Sequence, residues 1–358
     1  MLKTYKFNLR DAEVTLKPDN NIEKVYIELS SDCNLHCEMC FRNSFEEKFG
    51  KMDLKTFYNI FDGLKDMKKV KEIIFGGIGE PLTNPNFKEM AKFVKDKGYK
   101  LLLESNGYLI TDEMLDFFFS ISLDEFIFSA EPGTAGHGAY SWILNLTKKI
   151  SDRIAREKLG KPVVTIQTVL STKNIHNIES FFQKFVDAGA SRFILSNIIP
   201  TSEKELSLPL YIKPKPDMEN CISRKITGKI STNLPYFELK TERYCNFIQN
   251  NSVVVRWDGE VAPCYRFLHT YTEYVYGLKK QIKAVSYGNV NEKSLSEIWK
   301  SEDFSYFRFK VRHALFPSCT DCRLRDGCDF VTSSEYDCWG NSPSCADCLW
   351  WRNLVICP

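Results

Sequence analysis

The placement of the cysteines constrains what this chain can fold into more than any other feature. Thirteen of its 358 residues are cysteine. Three lie close together near the start of the chain, at Cys33, Cys37 and Cys40. Nine lie in the final third of the chain, at Cys245, Cys264, Cys319, Cys322, Cys328, Cys338, Cys345, Cys348 and Cys357. Because the chain beyond Pro317 consists mostly of cysteines and turn residues, its shape must come from what those thiols bind.

Composition and charge limit the location and the partners. The first residues, MLKTYKFNLRD, carry charge from Lys3 onward and contain no apolar segment, which argues against a secretory signal. The most apolar stretch, Met114–Ala130, contains three acidic residues and is not expected to span a bilayer. The net charge of +2 gives no broad basic field for nucleic acid or anionic lipid. We therefore predict a cytoplasmic protein without a nucleic-acid or membrane partner, whose thiols serve metal binding or catalysis rather than disulfides.

The front of the chain alternates short β-rich runs with helical patterns. Six strands are predicted, at Val25–Leu29, Ile73–Phe75, Lys100–Glu104, Phe126–Ser129, Val163–Thr168 and Arg192–Ser196. Helices are predicted after Asp53, Asn86, Thr111 and Asn174. Strands that alternate with helices indicate an α/β fold with a parallel sheet, and six units are too few for the closed eight-fold barrel. We expect a partial (βα)6 barrel with one open side and with reactive groups at the carboxyl ends of the strands.

The pattern changes after the sixth strand. Four prolines and no clear periodicity over residues 202–240 indicate an irregular linker. The sequence VVVRWDGEVAPC then predicts a hairpin that turns at Asp258-Gly259, and SLSEIWKSEDF predicts a short helix. We predict four regions, namely an N-terminal extension (1–21), a core (22–201), a linker (202–240) and a cysteine-rich domain (241–358).

The CxxxCxxC segment follows the first predicted strand directly. Three thiolates in one loop suit an iron–sulfur cluster in which one iron stays open, because full ligation of such a cluster takes four cysteines. An open iron can bind the amino and carboxylate groups of a substrate. The alternative is a structural zinc ion completed by His36 or by a distant residue.

Polar residues follow the next predicted strands at the same edge of the sheet. The second strand is followed by a turn with Gly76, Gly77, Gly79 and Glu80, and the later strands end near Ser105, Asn106, Ser129, Glu131 and Gln167. Glycine allows a ligand to approach the backbone closely, and Glu80 can accept hydrogen bonds from an ammonium group. These residues could bind a cofactor that carries ribose, ammonium and carboxylate groups, although each of them alone could serve only to cap a turn.

Taken together, these motifs resemble the radical SAM (S-adenosylmethionine) family over roughly residues 22–200. The resemblance implies that Cys33, Cys37 and Cys40 hold a [4Fe-4S] cluster and that the Gly76–Glu80 turn holds the amino group of SAM. It implies reductive cleavage of SAM to methionine and a 5′-deoxyadenosyl radical that abstracts hydrogen from a substrate. The residue before the third cysteine, commonly aromatic in the family, is Met39 here.

The tail resembles the SPASM extension of radical SAM enzymes. The resemblance rests on Cys245, on Gly259 with four residues before Cys264, and on the Cys319-x2-Cys322-x5-Cys328 group. It implies two auxiliary [4Fe-4S] clusters. Where the family usually has a further cysteine, this chain has Thr332, so nine tail thiols compete for eight ligand positions. One or two structural zinc ions are the alternative. Cys221, alone in the linker, is interpreted as a small buried apolar residue.

The chain ends in CWGNSPSCADCLWW followed by ICP. With the Cys40-Phe41-Arg42 segment, this ending resembles radical SAM maturases of tungsten-dependent aldehyde oxidoreductases. The resemblance implies a substrate that is a peptide, a protein or a cofactor-bearing enzyme such as a tungsten oxidoreductase, and an electron donor such as ferredoxin or flavodoxin. Two alternatives stay open, a peptide- or protein-modifying maturase and a non-enzymatic zinc–thiolate scaffold.

Overall fold

The computed structural model describes residues 4–132, 139–213, 222–223 and 230–357. Cys221 and parts of the predicted linker lie outside these residues. The strands are β1 Tyr5–Leu9, β2 Ala12–Leu16, β3 Lys24–Glu28, β4 Glu72–Gly76, β5 Lys100–Ser105, β6 Glu125–Ser129, β7 Val163–Leu170, β8 Arg192–Asn197, β9 Ser231–Asn233, β10 Ser252–Val255, β11 Val261–Ala262, β12 Tyr271–Val275 and β13 Leu278–Ile282. The helices are α1 Leu54–Leu64, α2 Phe87–Asp96, α3 Asp112–Ser120, α4 Ala139–Glu157, α5 Ile178–Asp187, α6 Asn246–Gln249, α7 Leu295–Trp299 and α8 Glu302–Arg312.

The central sheet confirms the predicted α/β partial barrel. Strands β3 to β8 are the six predicted strands, and they pair in parallel in chain order. Helices α1, α2 and α3 begin directly after Asp53, Asn86 and Thr111, as the sequence predicts, whereas a single 3-10 turn follows Asn174 and α5 begins at Ile178. The Asp53 side chain accepts a hydrogen bond from the Thr56 backbone amide at the start of α1. Phe57, Ile60 and Phe61 of that helix are buried, as their helical spacing predicts.

The sheet is larger than the six predicted strands. Its order is β11-β10-β3-β4-β5-β6-β7-β8-β9, so strands are added at both edges of the predicted core. The hairpin predicted around Asp258-Gly259 is present as β10 and β11. Its first strand also pairs in parallel with β3, with Val253 opposite Val25. The cysteine-rich tail therefore contributes strands to the core sheet. The four-region division proposed from the sequence stays a prediction.

Several elements were not predicted from the sequence. They include the N-terminal hairpin β1–β2, the hairpin β12–β13 and the long helix α4. The N-terminal hairpin packs on α8, where the Phe7 and Tyr306 ring centroids are 4.4 Å apart. No helix in the described part of the chain combines the length and the apolar character needed to cross a membrane.

The end of the tail packs against the barrel strands. The Ile356 backbone amide donates to the Ser196 hydroxyl at 3.0 Å, and the Asn197 side chain donates to the Leu354 carbonyl at 2.8 Å. The Ile356 side chain is buried with Ile127 and Ile194. Segment 354–357 thus lies against the inner side of β6 and β8, which places Cys357 near the barrel interior.

Candidate active site

The first cysteine group forms a loop after β3. Burial raises the pKa of the Cys37 thiol, and the neighbouring Cys40 and Cys33 thiols raise it further, so the three sulfur atoms lie near one another. The charge of Arg42 acts in the opposite direction on all three thiols. Arg42 is itself buried, and its Nε has no hydrogen-bond partner. A cation among three thiols favours their thiolate form, which is the form that binds iron.

The glycine turn after β4 is shaped by the chain's own packing. A Cβ at Gly79 would lie 2.2 Å from the Ser30 carbonyl oxygen and 2.5 Å from that of Asp32, in the segment that leads into the cysteine loop. The Glu80 backbone amide donates to the same Asp32 carbonyl at 2.8 Å. Gly76 similarly makes room for the Glu104 carboxylate. Gly79 thus lets the turn contact the segment before Cys33, and the close approach of a ligand to these glycines stays a prediction.

The structure brings Glu80, Ser105 and Asn106 together. The Glu80 carboxylate accepts from the Ser105 hydroxyl at 2.9 Å, from the Asn106 amide at 2.8 Å and from the Leu82 amide at 3.1 Å. Burial raises the pKa of Glu80 to about 7, although these three donors oppose the shift. The Asn106 side chain donates to the Asn34 side chain at 2.9 Å, within the cysteine loop. The ends of β4 and β5 therefore support the loop directly.

Ser129 ends β6 and Glu131 follows it, whereas Gln167 lies within β7, three residues before the end of that strand. Ser129 is exposed and lies opposite Gln167 in the strand register. The Glu131 carboxylate accepts from the Val169 amide and from the Thr168 hydroxyl. Burial raises the pKa of Glu131 to about 8. All the predicted cofactor-binding residues thus lie at the carboxyl edge of the parallel strands, and their role in binding SAM stays a prediction.

Two carboxylates inside the barrel, the buried Glu28 and the half-buried Glu104, were not predicted as functional residues. Glu28 closes β3 and pairs with His269, whose Nε2 lies 2.9 Å from Oε1. Glu104 lies near the end of β5 and accepts from the Tyr265 hydroxyl. Both acids end strands that are otherwise mostly apolar. That local contrast is the sequence signal that could have identified them.

One cavity is lined by residues of the tail, and these include five of its cysteines, namely Cys245, Cys264, Cys345, Cys348 and Cys357. Burial raises the pKa of the Cys245 thiol to about 12, and the neighbouring Cys348 thiol acts in the same direction. Cys264 acts likewise on Cys357. The sulfur atoms of these cysteines therefore lie close enough together to interact electrostatically.

The cavity has the donor set that an iron–sulfur cluster needs. Arg266 and Trp351 line the cavity. The Nη1 of Arg266 and the Nε1 of Trp351 are both buried and have no hydrogen-bond partner. Cluster sulfurs accept hydrogen bonds from such groups. Within the described residues, no three His, Cys, Asp or Glu side chains converge tightly enough to hold a single metal ion. A cluster does not need such convergence, because each of its irons binds its own thiolate.

The other four tail cysteines, Cys319, Cys322, Cys328 and Cys338, lie in the turns before and after residue 332. Burial raises the pKa of Cys319 to about 12, and the Cys338 thiol contributes to the shift. Cys322 and Cys338 are exposed. Thr332, where the family usually has cysteine, is tied to β13 because its carbonyl accepts from the Gln281 amide at 2.8 Å. Five of the nine tail thiols thus line the cavity, and the remaining group of four lies outside its lining.

Comparison with known protein families agrees with this geometry. Residues 27–185 match the model of the radical SAM superfamily, and residues 245–323 match SPASM, an iron–sulfur cluster-binding domain. The chain is also 42% identical, over 93% of its length and 96% of the relative's, to the tungsten-containing aldehyde ferredoxin oxidoreductase cofactor-modifying protein of Pyrococcus furiosus. This chain belongs to the radical SAM family. It is an enzyme whose two domains bind [4Fe-4S] clusters and, at the front, SAM.

Solved structures share the fold. The SAM-bound structure of SuiB from Streptococcus suis aligns with a TM-score of 0.59 at 16% identity, covering 86% of this chain and 72% of that one. The structure of anSMEcpe with bound AdoMet and the Cp18Cys peptide aligns with a TM-score of 0.53 at 17% identity, covering 84% and 86%. These alignments confirm the predicted architecture of a radical SAM core with a SPASM domain.

Proposed function

We propose that this radical SAM enzyme matures a tungstopterin oxidoreductase, by modifying its cofactor or the host protein. The observation that carries the proposal is the 42% identity to the Pyrococcus furiosus cofactor-modifying protein, which extends over 93% of this chain. An alignment of that length includes the front cysteine loop and most of the cysteine-rich tail. A shared front domain alone would support only the cleavage of SAM, because that step is common to the whole family.

In this proposal the front site holds one cluster and SAM. Cys33, Cys37 and Cys40 would each hold one iron, and the Gly76–Glu80 turn would bind the amino group of SAM. The cluster supplies the electron that splits SAM into methionine and a 5′-deoxyadenosyl radical. Because the Glu80 carboxylate already accepts three hydrogen bonds within the chain, it holds the turn and the Ser105–Asn106 segment in one arrangement.

The electron has to come from outside the chain. We propose a low-potential protein donor such as ferredoxin or flavodoxin, and a cytoplasmic location for the reaction. The group of four tail cysteines includes the exposed Cys322 and Cys338, whereas Cys345 and Cys348 of the group of five are buried. A cluster in the group of four would therefore lie nearer to the surface and to a protein donor.

The first experiment tests the cleavage of SAM. After anaerobic reconstitution the chain should hold about twelve irons, on the count of three clusters. The Cys33→Ala/Cys37→Ala/Cys40→Ala variant should lose about one third of that iron and all formation of 5′-deoxyadenosine. A matched variant, Cys319→Ala/Cys322→Ala/Cys328→Ala, should lose a similar amount of iron while SAM still perturbs the spectrum of the front cluster. Continued cleavage of SAM by the first variant would contradict the assignment.

The second experiment tests the substrate. A tungstopterin aldehyde oxidoreductase should be produced with and without this enzyme, and the masses of its extracted pterin and of its polypeptide should be compared. We expect a mass difference and a gain of oxidoreductase activity that both require Cys33, Cys37 and Cys40. A change in the polypeptide alone would place the modification on the host protein. Identical masses and activities in all samples would contradict the proposal.

A further inference from the structure

Arg266 occupies an unusual position beside the five-thiol cavity. Its side chain is 1% exposed, and it follows Cys264 by two residues. Its Nη2 donates to Glu273 at 2.7 Å and to Asp347 at 2.9 Å, and its Nε donates to Glu273. Its Nη1 is buried and has no partner. The guanidinium group is thus fixed on one side and keeps unused donor capacity on the other.

The carboxylates around Arg266 do not need this remaining donor. Asp347 also forms an ion pair with Lys280 at 2.7 Å, and Glu273 also accepts from the Tyr271 hydroxyl at 2.9 Å. Two buried cations therefore face two buried carboxylates. Since a buried N–H without a partner is costly, an acceptor in the cavity would relieve the unpaired Nη1.

The thiols of the cavity are near enough to feel the charge of Arg266. It acts to lower the pKa of both Cys345 and Cys348, against the larger effect of burial. Trp351 lines the same cavity with a second buried donor, its unpaired Nε1. Two unpaired N–H groups and one fixed cation therefore meet several thiols in one enclosed space.

We propose that Arg266 donates its Nη1–H to an auxiliary cluster in the five-thiol cavity and raises the reduction potential of that cluster. The inference rests on the proposed function, since it takes the cavity to hold one of the two auxiliary clusters. Reduction adds one negative charge to a buried group. A fixed cation and a hydrogen-bond donor stabilise the reduced form more than the oxidised form, which raises the potential. This cluster is therefore easier to reduce than it would be beside a neutral residue.

The test measures cluster potentials, not activity. In the Cys33→Ala/Cys37→Ala/Cys40→Ala background, dithionite titration followed by low-temperature EPR reports the two auxiliary clusters alone. We expect Arg266→Gln to shift one of the two midpoints to a more negative potential and to leave the other unchanged. Because this variant leaves Glu273 without its cation, Arg266→Gln/Glu273→Gln is measured as well. This double variant has the same net charge as the background protein but still lacks the Nη1 donor. The midpoint potential of the affected cluster should therefore stay below its value in the background protein.

Arg308→Gln is the matched control. Arg308 is likewise buried with an unpartnered Nη1, but it stacks on the Trp299 ring at 3.6 Å and lies outside the lining of the cavity. Its midpoints should equal those of the background. Full retention of about eight irons in the Arg266 variants and in Arg308→Gln shows that the measured midpoints belong to intact clusters.

Other results would overturn it. Unchanged midpoints in both Arg266 variants, a return of the double variant to the background value, or an equal effect of Arg308→Gln would each contradict the role of Nη1. A background protein that holds fewer than about eight irons would instead contradict the assignment of two auxiliary clusters. The two failures are therefore distinguishable.

Discussion

The Tyr265 hydroxyl lies 3.1 Å from each carboxylate oxygen of Glu104. The same hydroxyl accepts the Gly77 backbone amide at 3.2 Å, in the turn predicted to bind SAM. Tyr265 directly follows Cys264, which lines the auxiliary cavity. One side chain therefore connects the front site to the tail through hydrogen bonds, although the two are far apart in sequence.

Replacing Tyr265 by phenylalanine should destabilise the protein and weaken the front site. The change removes the hydroxyl that accepts from the Gly77 amide and donates to the Glu104 carboxylate, in a region where burial raises the pKa of Glu104 to about 8. Loss of a partner for a buried polar group costs about 1–3 kcal/mol. Anaerobic unfolding in denaturant should show this loss of unfolding free energy. A higher concentration of SAM should be needed to change the EPR signal of the front cluster.

The control for this variant is Tyr58→Phe. The Tyr58 hydroxyl donates to the Glu89 carboxylate at 2.7 Å, but this pair is exposed to solvent. Water can replace the lost hydrogen bond there, so we expect little change in stability and none in SAM binding. Equal losses of stability in the two variants would contradict the special role of the buried pair.

Gly79→Ala should damage the front cluster selectively. The added methyl group would lie 2.2 Å from the Ser30 carbonyl oxygen, so the segment leading into Cys33 would have to move. We expect a loss of about four irons out of about twelve and a loss of 5′-deoxyadenosine formation. Gly160→Ala is the control, since its methyl group would meet nothing within 4 Å. Full iron content and activity in Gly79→Ala would show that the contact is dispensable.

The sequence predicted the six core strands because β-rich runs alternate there with clear helix start signals, as at Asp53. It did not predict that β10 joins β3, since the run Val253–Val255 carries no information about which strand it will pair with. The same limit applies inside the site. Glu28 is visible as an acid in an apolar strand, but its partner His269 is separated from it by 241 residues. Local patterns predict elements and motifs, whereas packing between distant segments has to be seen.

His269 should make stability depend on pH. Burial opposes its protonation, but the Glu28 carboxylate and then Glu47 outweigh this effect and raise the pKa of His269 to about 9 from 6.5. A raised pKa in the folded state stabilises the protein fully below pH 6.5, and this stabilisation is lost as the pH rises towards 9. The difference corresponds to about 3 kcal/mol. The unfolding temperature of the wild type, measured anaerobically, should therefore fall as the pH rises across this range.

His269→Gln provides the comparison for the pH profile. Glutamine can still donate to Glu28 but does not titrate, so the fall in stability between pH 6.5 and 9 should be smaller in this variant. Arg256 also contacts Glu47, at 3.1 Å, and stays charged throughout the range, so it does not contribute to the slope. Parallel profiles for the two proteins would show that His269 does not carry the pH dependence.

The five-thiol cavity offers one cysteine more than a fully ligated [4Fe-4S] cluster needs. Cys357 differs from the others in its surroundings. Burial raises its pKa, and the Glu104 carboxylate acts in the same direction, whereas Arg266 offsets the effect of burial at Cys345 and Cys348. The Trp350 Nε1 donates to its sulfur at 2.8 Å and opposes this shift in part. The carboxylate beside Cys357 makes it a less favourable anionic ligand than Cys345 and Cys348, which are near Arg266.

We therefore expect Cys357→Ala to keep about twelve irons and Cys348→Ala to lose about four. Iron and sulfide analysis after anaerobic reconstitution checks both values, and EPR of the reduced protein shows which signal disappears. The cysteine group around Cys319 supplies an internal reference, since its cluster should stay intact in both variants. Loss of about four irons from Cys357→Ala would contradict this prediction. It would show that the Cys357 sulfur is a ligand despite the Glu104 carboxylate beside it.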